Sequence, residues 1–424
     1  MKASCYNFFY SEEPDCALWN TKTGAFFRIS SHEYDCLCGD GVESLDERRR
    51  MQFAGAGVLV SDGMDEIGDI VNMLLDARES SPLYFRILTT TDCNASCAYC
   101  YEKGMAASAM DAGCAQRTAD FIIRRYRERE SHVTLEWFGG EPLMNIPAIS
   151  LICDKLSTAG VPFHSKIISN GLLMNSYLID TAAHEWRTES VQLTIDAVGE
   201  EYDQLKGVPR GSFQGLISGI NDLLQSGIRV RVRINDTGSG DAPKKVIKYL
   251  YRHFGNDRRL RIYLCPLYRN EKMPSRESMR RILRFEQELF RLGYEDEGLY
   301  YIFRPRRLRC FACSPGGHTI APDGRIFNCS HVMDAKHCAG TVSCFDECSP
   351  QRLSYTKAPL SDECIACIFL PVCGGGCRSG ELGTADVFQC FQYRSVIPEI
   401  MKLRLKNLKK GLLCRQFKLH RVPQ

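Results

Sequence analysis

The sequence has no uninterrupted apolar run near the roughly 20 residues that a membrane-spanning helix requires. Its first residues, MKASCYNFFYSEEPDC, lack a basic segment followed by an apolar stretch and a small-residue cleavage site. Neither a transmembrane segment nor a secretory signal is therefore expected. An excess of one charge is also missing: 54 Lys and Arg against 51 Asp and Glu leave a formal net charge of +3, too slight a bias to indicate a nucleic-acid partner. No internal repeat or low-complexity tract is present. Hydrophobic residues at 44% and charged residues at 25% give an ordinary globular balance, and 424 residues suggest two or three domains at about 150 residues each.

Cysteine is in excess. The 22 cysteines are about 5% of the chain, below the roughly 8–10% of a short disulfide scaffold, yet far above what packing needs. Without a secretory signal, a reducing, cytoplasmic compartment is expected. There, clustered thiols read as metal or cluster ligands rather than disulfides. Their spacing then becomes the main source of information.

Residues 1–82 read as a small αβ module. Ala17–Asn20 and Ala25–Ile29 are strand-like around a Thr21–Gly24 turn, and Ser30 and Glu33 stand at capping-box spacing before a helix. A second helix is predicted from Asp65 to Ala77, before the Ser80-Ser81-Pro82 break. Residues 83–303 alternate strands with amphipathic helices. Six strands are predicted: Tyr84–Thr89, Val133–Trp137, Lys166–Ser169, Ser190–Ile195, Arg229–Asn235 and Leu260–Leu264. Helices are predicted at Gln116–Arg129 and Phe213–Ser226. Such alternation implies parallel βαβ units, and six of them suit a partial (β/α)6 barrel in an α/β fold. Residues 304–395 turn to short Gly-, Pro- and Cys-rich pieces, a composition suited to a segment held by metal clusters. The tail, 396–424, interleaves Lys402, Arg404, Lys406, Lys409 and Lys410 with Ile400, Leu403, Leu405 and Leu408. It reads as a basic amphipathic helix with a solvated face, or one that docks an acidic peptide or membrane surface.

After the first barrel strand come Cys93, Cys97 and Cys100, a Cys-x3-Cys-x2-Cys loop with Tyr99 before the last thiol. Three thiolates can hold three irons of a 4Fe-4S cluster and leave the fourth iron open; zinc held by three Cys and a distant His is the plainer alternative. The spacing resembles the signature of the radical S-adenosylmethionine (SAM) superfamily. That resemblance implies a SAM-binding 4Fe-4S cluster on Cys93, Cys97 and Cys100. It also implies SAM contacts from Tyr99, from Gly139-Gly140-Glu141-Pro142 after the second strand, from Ser169 and Asn170 after the third, and from Thr194 in the fourth. Two glycines allow close backbone approach to a ligand, and a carboxylate accepts hydrogen bonds from an ammonium. Lys206 falls where many relatives carry an Arg to the SAM carboxylate; it keeps the charge but not the bidentate fork. A solvated loop lysine is the alternative.

The C-terminal cysteines, Cys313, Cys329, Cys364, Cys367, Cys373, Cys377 and Cys390, resemble the seven-cysteine SPASM domain, which holds two auxiliary 4Fe-4S clusters. The family topology implies auxiliary cluster I on Cys310, Cys313, Cys329 and Cys377, and cluster II on Cys364, Cys367, Cys373 and Cys390. Cys310 lies outside the seven-cysteine motif, and Cys338, Cys344 or Cys348 could serve in its place, or one iron could stay open. A zinc ribbon from Cys310-x2-Cys313 and Cys364-x2-Cys367 would leave the other four unexplained. Most remaining cysteines are expected to be small buried hydrophobes, with Cys265 and the 338–348 trio as candidates for a place near the site. His318 and His331 are expected to be structural hydrogen-bonding residues.

Together these resemblances imply an oxidoreductase that cleaves SAM to a 5'-deoxyadenosyl radical. It would install an oxidative crosslink, whether thioether, carbon-carbon or ether, in a ribosomally made precursor peptide, with no residue assignable as acid or base. Residues 20–27 and the following helix resemble the leader-recognition module of peptide maturases, whose mode would be strand addition. An external electron donor such as flavodoxin or ferredoxin is implied as a partner. An anaerobic sulfatase-maturating enzyme is the alternative, but that family places an Asp after the Cys of Gly-x4-Cys, where this chain has Ser330. A noncatalytic iron-sulfur carrier or scaffold would leave the open-iron triad without purpose.

Overall fold

A computed structural model of the chain describes residues 1–424 apart from 13–14, 40, 101–105, 237–239, 268–274, 295–302, 307, 309, 379–391 and 410–424. Near the N-terminus, β1 (Lys2–Ala3) pairs antiparallel with β5 (Leu59–Val60), and β2 (Asn7–Glu12), β3 (Asp15–Asn20) and β4 (Phe26–Ile29) form a separate antiparallel sheet in the order β2-β3-β4. The Ser30–Glu33 capping box opens α1 (Ser31–Cys38), and Asp65 caps α3 (Glu66–Glu79), which follows α2 (Glu47–Gly55). The sequence pattern misses β2 because its aromatics do not alternate with polar residues. Phe8 packs on Trp19 and Phe369, while Phe9 meets Tyr34 edge-on, so both faces of the strand are covered.

All six expected barrel strands are present: β6 (Leu83–Thr90), β7 (Val133–Gly139), β8 (Phe163–Ser169), β9 (Thr188–Thr194), β10 (Arg229–Asp236) and β11 (Leu260–Pro266). They are parallel and adjacent in chain order. The crossovers contain α4 (Ala112–Arg129), α5 (Ile146–Thr158), α6 (Ser176–His184), α7 (Glu200–Lys206), α8 (Ser212–Gln225) and α9 (Ala242–Phe254), and α10 (Arg276–Arg291) follows β11. Alternation along the strands sorts the side chains. Leu83, Phe85, Ile87, Val133, Leu135 and Trp137 are fully buried in the core. The intervening residues are polar and meet in the lumen, where Tyr84 and Arg86 both bond Glu136, and the Tyr263 hydroxyl donates to Gln192 Oε1 at 2.7 Å.

Two strands beyond the expected six complete an eight-stranded sheet. β12 (Gly317–Ile320) pairs parallel with β6, with Gly317 opposite Tyr84, and β13 (Ile326–Phe327) returns antiparallel to β12. Both are too short for a periodic signal. Their register has a consequence for the site: the chain leaves β13 toward the N-terminal end of β6, and Tyr84 near that end stacks on Phe311 at 4.8 Å. Cys310, Cys313 and Cys329 therefore lie at the opposite end of the lumen from Cys93. At about 3.3 Å per strand residue, the two ends are roughly 20 Å apart.

The C-terminal helix α14 (Ile397–Lys409) docks on the body, following α11 (Pro350–Thr356), α12 (Asp362–Ile365) and α13 (Leu370–Cys373). Ile397, Ile400, Met401 and Leu405 are buried, and Arg404 lies 3.9 Å over the Phe303 ring. Its apolar stripe is thus an internal docking face, and Lys402 at the rim pairs with Glu12 at 2.7 Å. The later tail cations lie outside the described residues. No helix among the described residues is long and apolar enough to cross a membrane.

Candidate functional site

Cys93, Cys97 and Cys100 sit on the loop that leaves the C-terminal end of β6, with Cys93 and Cys100 exposed and Cys97 half-buried. The loop is clamped from below by α7: Ser96 N donates to Lys206 O at 2.8 Å and Ala98 N to Leu205 O at 3.4 Å. Gly207, in left-handed backbone (φ +61°), ends that helix directly under the loop, where an added Cβ would lie 2.9 Å from Ser96 Cβ. Burial raises the Cys97 thiol above its usual range against the pull of the Lys206 ammonium, and the neighbouring Cys100 and Cys93 add to the rise. Asn170 Nδ2 donates to Cys93 Sγ at 3.6 Å and to Asn94 Oδ1 at 2.7 Å.

The Gly139-Gly140 pair approaches backbone, not open space. A Cβ on Gly139 (φ +122°) would lie 2.1 Å from Thr90 O, and one on Gly140 would lie 2.3 Å from Asp92 O. These glycines let β7 press against the thiol loop. Glu141 is fully buried, and its carboxylate accepts from Leu143 N (3.1 Å), Ser169 Oγ (2.9 Å) and Asn170 N (2.7 Å). It ties the end of β8 to the end of β7. Burial pushes its carboxyl up to about 7 against the pull of those three bonds.

Lys206 is not a solvated loop residue: it lies in the last turn of α7 and is 2% exposed. Its ammonium is 3.0 Å from Asp196 Oδ2 and also bonds the Tyr99 hydroxyl, which itself donates to Asp196. Asn235 N donates to Asp196 Oδ1 at 2.6 Å. A buried carboxylate thus joins β9, β10, α7 and the thiol loop, with Thr194 two residues before it at the end of β9. In the sequence only Thr194 stands out in this strand; a carboxylate two residues on, at the strand end, was the available signal for Asp196.

The lumen below is cationic. Arg86 pairs with Glu136 and donates to Ser330 Oγ at 2.7 Å, Lys166 lies 5.7 Å from the Tyr84 ring centroid, and Arg231 lies 5.4 Å from that of Tyr263. Cys265, next to last in β11, lies opposite Asn235 in register, and burial raises its thiol while Arg233 lowers it. At the far end, Cys313 and Cys329 pack together with Ala312 and Tyr355. Cys329, half-buried, feels the Cys310 and Cys377 thiols as well, and burial pushes it up to about 11. The four thiols assigned to auxiliary cluster I are thus neighbours. Cys364 and Cys367 occupy α12 and its end, and Cys373 closes α13; Cys390 lies outside the described residues. Cys338 instead donates to Gly340 O at 3.2 Å.

No group of three or more His, Cys, Asp or Glu side chains among the described residues surrounds a point suited to a single metal ion. The donor chemistry at both ends of the lumen, three and four neighbouring cysteines, fits iron-sulfur clusters, whose irons take thiolate ligands. His318 departs from expectation: both ring nitrogens are buried without a hydrogen-bond partner among the described residues. The ring stacks on Phe85 at 5.2 Å and meets Phe121 and Phe345 edge-on, and burial holds its ionisation well below the usual imidazole range.

Residues 87–248 match the family model described as the radical SAM superfamily. No curated protein matches the chain. Among solved structures, the chain is similar to native anSMEcpe with bound AdoMet, with TM-score 0.61 and 16% identity over 78% of this chain and 100% of that one. It is also similar to Streptococcus suis SuiB, with TM-score 0.52 and 14% identity over 92% and 99% of the two chains. SuiB bound to precursor peptide SuiA gives TM-score 0.52 and 13% identity over 93% and 99%. At these identities the likeness is one of fold.

Proposed function

We propose that this chain, whose residues 87–248 form a radical SAM domain, is a peptide maturase that installs an oxidative crosslink in a ribosomally made precursor. The observation that carries this reading is the placement of thiols at both ends of one polar lumen: Cys93, Cys97 and Cys100 at the C-terminal strand ends, and Cys310, Cys313, Cys329 and Cys377 at the other. When bound, SAM and its cluster supply a 5'-deoxyadenosyl radical, the oxidising agent of this chemistry. The protein's residues do the rest. Tyr99, Lys206, Ser169, Asn170, Thr194 and the Gly139-Gly140-Glu141 turn shape the SAM site. The lumen walls hold the peptide and exclude water. The four thiols at the far end hold one auxiliary cluster, and Cys364, Cys367, Cys373 and Cys390 hold a second; these take up the electron left on the peptide, with an external donor such as flavodoxin or ferredoxin supplying the initial one.

The N-terminal module supports a peptide partner. Among the described residues, β2 and β4 each have a β partner on one side only, so an extended leader could add a strand through main-chain bonds. Solved neighbours include SuiB with its precursor peptide and anSMEcpe with the Cp18Cys peptide. Against formylglycine formation, Ser330 stands beside Cys329 with its hydroxyl held by Arg86, and offers no carboxylate there.

Anaerobic co-expression with a small open reading frame beside this gene, followed by tandem mass spectrometry, tests the proposal. A loss of about two hydrogens per crosslink is expected, with fragments naming the bond. An unmodified peptide from a preparation that cleaves SAM would overturn it in favour of a protein substrate.

A further inference from the structure

Tyr355, on α11, is 4% exposed, and its ring packs against Ala312 and Cys313 with Cys329 alongside. Its phenol oxygen is buried and finds no hydrogen-bond partner among the described residues. A buried donor left unpaired is costly, and native folds avoid it. The neighbouring Thr356 hydroxyl, by contrast, bonds Arg352 O at 3.1 Å. Phenylalanine would fill the same space without this cost, so the oxygen calls for an acceptor other than the described residues. The surroundings indicate which one: Cys329, Cys313, Cys377 and Cys310 all act electrostatically on this phenol.

We propose that Tyr355 donates its O–H to a sulfur of the cluster held by Cys310, Cys313, Cys329 and Cys377, and that this bond raises the cluster's reduction potential. The inference rests on the reading that these four thiols hold a 4Fe-4S cluster. Its physics is general. Reduction adds negative charge to the cluster, a donor aimed at sulfur stabilises that charge, and hydrogen bonds to sulfur are among the levers that set such potentials. Tyr355 is therefore a positioning and tuning residue: it touches the electron acceptor, not the peptide.

The test uses full-length protein in which Cys93, Cys97 and Cys100 are changed to Ala, so that only auxiliary clusters are reduced. In that background Tyr355→Phe removes the donor alone, while replacing Tyr355 with 3-fluorotyrosine makes the donor more acidic. Iron content and EPR-monitored redox titrations are read for all three proteins. One cluster's midpoint should move negative with Phe and positive with 3-fluorotyrosine, at constant iron. Equal midpoints, or shifts of the same sign as a packing change would give, overturn the proposal. Should Tyr355→Phe lose iron, the 3-fluorotyrosine comparison decides by itself. Unchanged iron after Cys313→Ala with Cys329→Ala would instead show that no cluster is held there, so that the underlying assignment fails and not merely the hydrogen bond.

Discussion

Asp196→Ala is the most informative single perturbation of the thiol-loop end of the barrel. The Asp196 side chain is fully buried and that of Lys206 is 3% exposed, with 3.0 Å between carboxylate and ammonium. Truncation removes the acceptor for Lys206, Tyr99 and Asn235 together and leaves an ammonium without a counter-charge in the interior. Breaking a buried pair from one side typically costs about 3–5 kcal/mol, whereas replacing both partners with apolar residues of similar volume is often neutral or better. Asp196→Ala should therefore lower stability by about that amount, and Asp196→Leu with Lys206→Met should recover most of it. Because Lys206 O and Leu205 O also anchor the thiol loop, iron content on Cys93, Cys97 and Cys100 should fall with the single change. Anaerobic urea unfolding followed by the fluorescence of the buried Trp137 and Trp186 gives the midpoints, and iron analysis gives occupancy. A loss under about 1 kcal/mol for the single variant, or no recovery in the double one, would refute the reasoning.

Three further outcomes follow from the same geometry. Changing Cys93, Cys97 and Cys100 to Ala should abolish SAM cleavage under dithionite while retaining auxiliary iron, as checked by chromatography of the nucleoside product and by iron analysis. His318 is held neutral in the fold, so the unfolded chain takes up more protons below the free imidazole value of about 6.5; the stability this group contributes is complete above that pH and declines as pH falls. His318→Phe should remove two unpaired nitrogens, raise stability by about 1–3 kcal/mol and flatten the slope of melting temperature between pH 7 and 5. Glu141 has the opposite sign: with its carboxyl raised to about 7, its contribution is complete below the unfolded value of about 4.3 and declines as pH rises through 7. Glu141→Gln loses a hydrogen bond at Asn170 N or Ser169 Oγ, so its deficit in urea midpoint should be largest near pH 5 and shrink by pH 8.

The sequence by itself determined the α/β class, the six barrel strands to within a few residues, and the grouping of three cysteines on the loop after the first of them, because strand alternation and Cys spacing are local signals. The Arg229–Asn235 run shows this well, with arginines facing the lumen and Val230, Val232 and Ile234 facing the core. Tertiary structure decided what depends on distant residues meeting. Gly139 and Gly140 read as ligand-approach glycines, but the backbone they accommodate is that of residues 90–92, fifty residues earlier in the chain. A solvated loop lysine stayed open as a reading of Lys206 because its partner, Asp196, reaches it only through the turn from β9 into α7. His318 gave no hint of an aromatic enclosure assembled from β6, α4 and the 345 loop. β12 and β13 were invisible because a four-residue and a two-residue strand have no period to detect. Yet their register along β6 carries Cys329 to the foot of the lumen, and an unpaired Tyr355 hydroxyl among four thiols exists only once that turn has closed.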